Sequence, residues 1–392
     1  MKTLRIAFLL SALLALAAGL GAQTPTPPDM AKPPAVGPVK AYAPPASQAD
    51  QLPNGLKVVV IEDHRFPLVT VRMALRAGIS RLAPEQAGLA SAEADLLTEG
   101  TATRSSLEIA QAADALGGAI GAGVDPDFLT VDANALSSRA PAMFELMADV
   151  VLHPSFPQKE VDLEKANMLQ ALTANRADSG YLASVQFDKL LFGHHPYGIS
   201  APTEASIDAI TRAALVNFHD TYFLPNNQAE IVVAGDISAA RAHNLIEQYF
   251  GDWKLGRPMP PPSPPVPQPP TRRIYLVERP GSAQSDILLG NLGLTRTATD
   301  YFPFLVANEV LGGSFNSRLI ADIREQKGYT YGISSGNRPY RDLGAWTVST
   351  QVRTNVTAAA LKEIFVQLDQ IRSAPVSDQE LLQAKNFLSG NF

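Results

Sequence analysis

The sequence predicts an α+β fold in two globular pieces, and three observations lead to that prediction. Runs rich in β-branched residues, such as KVVVIE, are typical of strands and occur in both pieces. Longer segments with helix start and stop signals stand between and after these runs. A Pro-rich stretch at 257–271 cannot join a sheet and acts as a semi-rigid spacer. We therefore expect antiparallel-type sheets, each with helices on one side, in residues 49–256 and 272–392.

The first piece opens on the turn signal Asn54-Gly55, and Gly117-Gly118 interrupts it later at the end of a helical pattern. Between and beyond these turns, the sequence predicts strands at 56–63, 68–78, 120–124, 128–135 and 230–234, and helices at 84–97, 105–116, 140–152, 157–176 and 239–250. The second piece repeats this theme on a smaller scale. Its predicted strands are 274–278, 287–292, 331–335 and 346–352, and its predicted helices are 301–311, 318–326, 358–371 and 378–388.

The N-terminus carries a targeting signal. Lys2 and Arg5 precede an apolar run at 6–18, and small residues follow through Ala22, which is the pattern of a secretory signal peptide at 1–22. The run is too short to span a membrane. We expect cleavage near Ala22 and a periplasmic or secreted mature chain without a membrane span. Residues 23–48 are rich in Pro, Ala and Thr and should form an extended, solvated arm.

Composition excludes several classes of function. Removal of Lys2 and Arg5 would change the net charge from −6 to −8, and an acidic chain gives no electrostatic reason to expect nucleic acid. There are no cysteines, so the chain has neither disulfides nor a thiol for catalysis or metal binding. No phosphate-binding loop, dinucleotide fingerprint or nucleophile elbow is present. His194 and His195 precede a proline in a loop and are better explained as turn residues than as ligands.

A metal-binding helix pattern without its metal ligands occurs at residues 88–101, GLASAEADLLTEGT. The residues of this pattern other than the ligands and the base are its frame. The stretch resembles the active-site helix of the pitrilysin/insulinase family of zinc metallopeptidases, the inverzincins, which reads G-x-A-H-x-x-E-H and closes on G-T. Four residues match this frame: Gly88, Ala90, Gly100 and Thr101. The family's His, Glu and His are replaced by Ser91, Ala94 and Asp95.

These replacements remove the metal chemistry. Two imidazoles at i and i+4 hold zinc on one helix face, and the Glu between them activates a bound water. Ser91 and Asp95 make a poor zinc pair, and Ala94 cannot transfer a proton. The resemblance places the family's third ligand, a Glu, at Gln170, where a neutral amide removes the last strong ligand. We expect this chain to bind no metal.

A second match lies in residues 317–332, SRLIADIREQKGYTYG. It resembles the family's substrate-binding segment, in which an Arg at a helix end and a Tyr on the next strand hydrogen-bond the peptide beside the zinc. Arg324 and Tyr331 match in type and spacing. A guanidinium and a phenol can hold a substrate carbonyl and stabilise charge on its oxygen. The alternative is that Arg324 pairs with Glu325 or Asp322 and that Tyr331 only packs.

The resemblance implies duplicated α+β domains forming a clamshell-like half of a peptidase chamber, with the second domain truncated relative to the family. It also implies a non-catalytic, substrate-binding subunit of a heterodimeric zinc metallopeptidase acting on peptides. Its partner would be an H-x-x-E-H subunit that carries the zinc. A catalytically inactive peptide-binding or structural clamshell is the alternative. An enzyme using Ser91 as nucleophile ranks last, because no base stands at a suitable spacing.

Overall fold

The computed structural model describes residues 43–258 and 271–391. The predicted signal peptide at 1–22, most of the arm at 23–48 and most of the spacer at 257–271 lie outside these residues. The end of the predicted arm is described, and there Ser47 and Gln48 already belong to the first strand. Within the described ranges, no helix is long and apolar enough to cross a membrane.

The first sheet has six strands in the order β1-β2-β6-β3-β5-β4, antiparallel except for the parallel pair β2–β6. In its central strand β3, Val69, Val71 and Met73 are buried and alternate with exposed residues, so one face of the sheet is covered. The strands are Ser47–Gln51 (β1), Lys57–Glu62 (β2), Leu68–Leu75 (β3), Ala119–Val124 (β4), Leu129–Leu136 (β5) and Glu230–Gly235 (β6).

Eight helices accompany this sheet in the described part of the chain, and most of them contribute residues to the hydrophobic core beneath it. Capping explains where several of them begin; the Ser105 side chain, for example, accepts a hydrogen bond from the Glu108 N–H at the start of α2. The helices are Leu89–Leu96 (α1), Ser106–Ala115 (α2), Ala140–Leu152 (α3), Gln158–Arg176 (α4), Ser179–Phe192 (α5), Glu204–Asp208 (α6), Arg212–Tyr222 (α7) and Ala239–Phe250 (α8).

The second sheet has three antiparallel strands in the order β7-β9-β8. Two π-helical turns, Glu309–Gly313 and Ile320–Gln326, lie between β7 and β8. The remaining elements are β7 (Gln284–Gly293), α9 (Tyr301–Asn308), β8 (Thr330–Pro339), β9 (Gly344–Arg353), α10 (Thr357–Ser373) and α11 (Asp378–Gly390). The predicted α+β class, with sheets covered by helices, is confirmed.

The strand predicted at 274–278 is wrong. This segment pairs with no strand in the described part of the chain, and its apolar side chains face solvent, with Ile274 83% and Leu276 85% exposed. Its β-branched composition favours a strand, but a strand exists only where a neighbour offers backbone hydrogen bonds. The Arg279 guanidinium instead bonds the Ala177 carbonyl at the end of α4, and Arg272 stacks on Phe365 of α10.

The two sheets belong to one compact unit, Pro45–Phe392. Helix α5 precedes the second sheet in sequence but packs against β7. At the same junction, Arg338 of β8 forms a two-pronged ion pair with Asp188 of α5, whose carboxylate is buried. Phe192 and Tyr197 pack with Leu343 in a small cluster. Apolar contacts and a buried ion pair therefore hold the halves together.

Candidate functional site

Glycines fix both ends of the segment that contains α1. Gly88, its N-cap, has φ = 95°, and a Cβ there would lie 2.9 Å from Met168 Cε. Gly100 has φ = 152°, and a Cβ there would lie 2.9 Å from Pro157 Cγ. Both positions favour glycine because the backbone is left-handed or crowded. Thr101 then donates to the buried Asp149 carboxylate at 2.8 Å. The frame residues that match the metallopeptidase pattern are therefore the ones that shape the fold.

The three replaced positions lie where a metal site would need two ligands and a general base. Ser91 and Asp95 share a helix face at i and i+4, with Ser91 half-buried and Asp95 exposed. Ala94 is buried. The surrounding protein raises the pKa of the Asp95 carboxyl by displacing water. One hydroxyl and one carboxylate do not fit a zinc ion, which prefers imidazole and thiolate ligands in tetrahedral sites.

The acidic group beside Asp95 is Glu164 of α4, which the sequence analysis missed. Partial burial and the charges of Asp95 and Glu99 raise the pKa of Glu164, while a hydrogen bond from Asn167 lowers it. Helical spacing could have identified Glu164, since it lies one turn before Met168, the residue that contacts Gly88.

Gln170 is exposed and two positions past Met168, so its side chain leaves on another face of α4. The α4 side chain that approaches the start of α1 is that of Met168. Across residues 43–258 and 271–391, no three His, Asp or Glu side chains are grouped as metal ligands would be.

Glu93, on the opposite face of α1, is the other group missed from sequence. It is 0% exposed, and neither carboxylate oxygen has a hydrogen-bond partner. Burial raises the pKa of Glu93 well above its usual range, and the negative charge of Asp220 raises it further. A carboxyl in this setting is held neutral by the surrounding core rather than poised for catalysis.

Arg324 lies in the π-helical turn Ile320–Gln326. Its guanidinium stacks 4.5 Å above the Phe315 ring centroid, and its Nη1 is 3.3 Å from Glu325 Oε1. The same Nη1 atom is buried and makes no hydrogen bond. The predicted alternative of an ion pair with Glu325 is confirmed. Asp322 instead accepts a hydrogen bond of 2.9 Å from Gln367.

Tyr331 is 93% exposed and packs on nothing, so the alternative that it merely packs is wrong. It lies in a bulge, because the register of β8 against β9 shifts between Thr330 and Ile333. The Gly332 N–H donates to the Thr330 hydroxyl at 3.0 Å, and the hydroxyls of Thr330 and Thr350 lie 2.8 and 2.9 Å from the Gly332 carbonyl oxygen. The bulge thus presents the phenol to solvent.

The histidine pair behaves as predicted for turn residues. His195 is buried at the start of the 3₁₀ turn Pro196–Gly198, where its Nδ1 accepts from the Tyr197 N–H at 3.2 Å. Its ring also contacts the Tyr197 ring, with centroids 4.5 Å apart.

Two sheet-and-helix halves, one of which keeps the shape of a zinc-motif helix without its ligands, define a metallopeptidase-like protein. Residues 57–191 match the family model described as insulinase (peptidase family M16), and residues 209–388 match the peptidase M16 inactive domain. The chain belongs to peptidase family M16, the insulinase family. The resemblance drawn from residues 88–101 and 317–332 is confirmed at the level of the family.

Relatives and solved structures agree with this membership. The chain is 24% identical over 340 residues to an uncharacterized zinc protease, YmxG, of Bacillus subtilis, covering 86% of this chain and 81% of that protein. It is 25% identical over 345 residues to the non-peptidase homolog YmxG of Helicobacter pylori, covering 86% and 78%. The crystal structure of a peptidase M16 inactive domain from Pseudomonas fluorescens is similar with 29% identity and a TM-score of 0.83, covering 88% of this chain and 84% of that one.

Proposed function

We propose that this protein is the non-catalytic, substrate-binding subunit of a heterodimeric zinc metallopeptidase. The observation that carries the proposal is the contrast between two segments. Helix α1 has the shape of a metal-binding helix but has Ser91, Ala94 and Asp95 where ligands and base would stand. Strand β8, by contrast, exposes Tyr331 to solvent on a hydrogen-bonded bulge. A tyrosine exposed on a backbone bulge is suited to contact a ligand rather than to stabilise a core.

Arg324 supports the same role. Its Nη1 atom is buried without a hydrogen bond among the described residues and lies 3.3 Å from the Glu325 carboxylate. The Arg324 side chain is 31% exposed, so its guanidinium can offer donors other than the buried Nη1 to a ligand carbonyl. In the proposed complex, Arg324 and Tyr331 donate hydrogen bonds to a carbonyl of the bound peptide. Both donors would then stabilise negative charge as it develops on that oxygen.

The zinc and its activated water would come from a partner subunit with an intact H-x-x-E-H motif. We propose that this chain itself holds no zinc, because Ser91, Asp95 and Gln170 are weak or misplaced donors. The predicted signal peptide would place both subunits in the periplasm or outside the cell. The relatives' names, which include both zinc proteases and a non-peptidase homolog, are consistent with a division of active and inactive chains within the family.

A peptide-binding or structural clamshell without a peptidase partner remains the second candidate. The exposed Tyr331 would bind peptide equally well in such a protein. Catalysis by Ser91 is less well supported, since no histidine hydrogen-bonds to its hydroxyl in the described part of the chain.

Purification of the tagged protein from its native source, with identification of bound chains by mass spectrometry, tests the proposal. We expect a stoichiometric partner that contains H-x-x-E-H, and zinc-dependent peptidase activity in the complex only. Recovery of the chain alone or as a self-associated oligomer, with no peptidase activity in the fraction, would favour the clamshell.

A further inference from the structure

We propose that a cavity between the two halves binds a small carboxylate with an apolar or aromatic body, about the size of an N-acylated amino acid. The cavity has a volume of about 330 Å³. Three chain segments line it: the turn between β4 and β5 at 125–128, the loop after β7 at 296–297, and the turn between β8 and β9 at 339–341. These residues are separate from α1, Arg324 and Tyr331, so the inference does not rest on the proposed function.

Four proline and aromatic residues form the apolar part of the cavity lining. Pro126 and Phe128 come from the first half, and Pro339 and Tyr340 come from the second. Tyr340 is held in place by ring contacts, with its centroid 4.7 Å from that of Tyr197. Rigid aromatic and proline surfaces favour a flat or branched apolar group, because little side-chain entropy is lost on binding.

Two guanidinium groups complete the lining. Arg296 and Arg341 are exposed, and neither side chain has an ion pair with a described residue. Arg296 is positioned by stacking on Tyr301, 4.7 Å from its ring centroid. Arg338, only three residues before Arg341, is fully paired with Asp188 at the junction. Unpaired, positioned arginines beside an apolar wall provide the fork that recognises a carboxylate.

The carboxylates in the lining are already used by the protein. Asp125 Oδ1 accepts hydrogen bonds of 2.7 Å from the N–H groups of Asp127 and Phe128. Asp127 accepts from the Tyr197 hydroxyl at 2.6 Å and from the Arg341 N–H at 2.9 Å. These bonds fix the shape of the two turns and give three of the four carboxylate oxygens a protein donor.

A further arginine, Arg76, packs against the lining residue Phe128. Arg76 is only 4% exposed, stacks over Phe128 at 5.1 Å from the ring centroid, and has a buried Nε without a hydrogen-bond partner. Burial lowers the pKa of Arg76, and the positive charges of Arg341 and Arg81 lower it further, although Asp127 and Asp342 oppose them. Positive charge is therefore concentrated around the cavity, and an anion bound there would relieve the repulsion.

Isothermal titration calorimetry at low salt with two matched probes, N-acetyl-L-phenylalanine and its neutral amide, tests the inference. We expect the acid to bind and the amide to bind at least about tenfold more weakly, because only the acid makes charge-assisted hydrogen bonds. Arg341→Gln and Arg296→Gln should each weaken binding of the acid by a similar factor. Arg372→Gln, which changes an exposed arginine away from the cavity, is the matched control and should leave binding unchanged.

Both lining arginines are exposed, so their variants should fold normally, and circular dichroism checks this. Equal binding of acid and amide would overturn the proposal, as would wild-type affinity in Arg341→Gln and Arg296→Gln. No heat with either probe at millimolar concentration would also overturn it. Inorganic phosphate binding as tightly as the acid would show a general anion site and contradict the role given to the apolar walls.

Discussion

The Thr330 side chain closes a bulge around Gly332: its hydroxyl accepts from the Gly332 N–H at 3.0 Å and lies 2.8 Å from the Gly332 carbonyl oxygen. The same hydroxyl is 2.7 Å from the Gln351 carbonyl oxygen on β9. One side chain therefore ties the bulged strand to its neighbour, and the residue between, Tyr331, is left with no packing contact. The exposure of Tyr331 follows from this arrangement rather than from mobility of the strand.

Replacement of Thr330 by valine removes these bonds but keeps the β-branched shape. We expect the chain to fold with a loss of about 1 kcal/mol in unfolding free energy. Peptidase activity of the reconstituted complex should fall although Tyr331 is intact, because the backbone bulge that carries Tyr331 is no longer held in place. Activity and urea denaturation of the variant measure the two effects.

Thr173→Val, which removes a hydroxyl bonded within α4, is the control and should leave activity unchanged. Full activity in Thr330→Val would mean that the bulge does not position Tyr331.

The sequence predicted most elements of the fold because local patterns determine them. The alternation in β3 and the glycines at 88 and 100 are local features. The bulge was not predictable, since it depends on Thr350, a residue twenty positions from Thr330 in sequence that meets it across the sheet. Glu164 was predictable in principle from helical spacing along α4. The segment 274–278 has strand composition, but its exposure depends on which neighbours reach it, and no local pattern reports that.

The Arg324 and Tyr331 pair should act on the transition state. If both donate to a substrate carbonyl, Tyr331→Phe and Arg324→Ala should each lower kcat/KM of the complex by on the order of 10²–10³, the usual effect of losing one preorganised donor. Neither variant should change assembly. Wild-type kcat/KM, with assembly verified by size-exclusion chromatography, would favour the passive clamshell. Tyr275→Phe, a tyrosine exposed in the unpaired segment, serves as the control.

The purified chain should carry no stoichiometric zinc and should cleave no peptide alone. Ser91, Ala94 and Asp95 offer too few suitable donors, and Gln170 lies on another face of α4. The triple variant Ser91→His, Ala94→Glu, Asp95→His should also remain well below one zinc per chain, because Gln170 still stands where the family has its third ligand. Elemental analysis after dialysis measures both. About one zinc per chain in the unmodified protein would contradict this prediction.

Glu93 should make the stability of the protein depend on pH. Its carboxyl is wholly buried without a hydrogen-bond partner, and its pKa in the folded chain is raised well above the usual 4.5. The folded state therefore holds the Glu93 proton more tightly than the unfolded state. The ionisation penalty of this group is absent below about pH 4.5, and stability is lost as the pH rises above the unfolded pKa toward the folded one.

Glu93→Leu should remove that loss. At neutral pH we expect the variant to be more stable by about 1–3 kcal/mol, the usual cost of burying a polar group without a partner. As the pH falls from neutral to about 3.5 the difference should shrink, because the carboxyl is then largely protonated in both states. Urea denaturation across this pH range measures the effect, and Glu85→Leu, at an exposed position, should show no such dependence. Overpacking by an isosteric leucine alone would lower stability equally at pH 4 and at neutral pH. A Glu93→Leu variant that is less stable than the parent at neutral pH only would therefore mean that the carboxylate has a compensating partner.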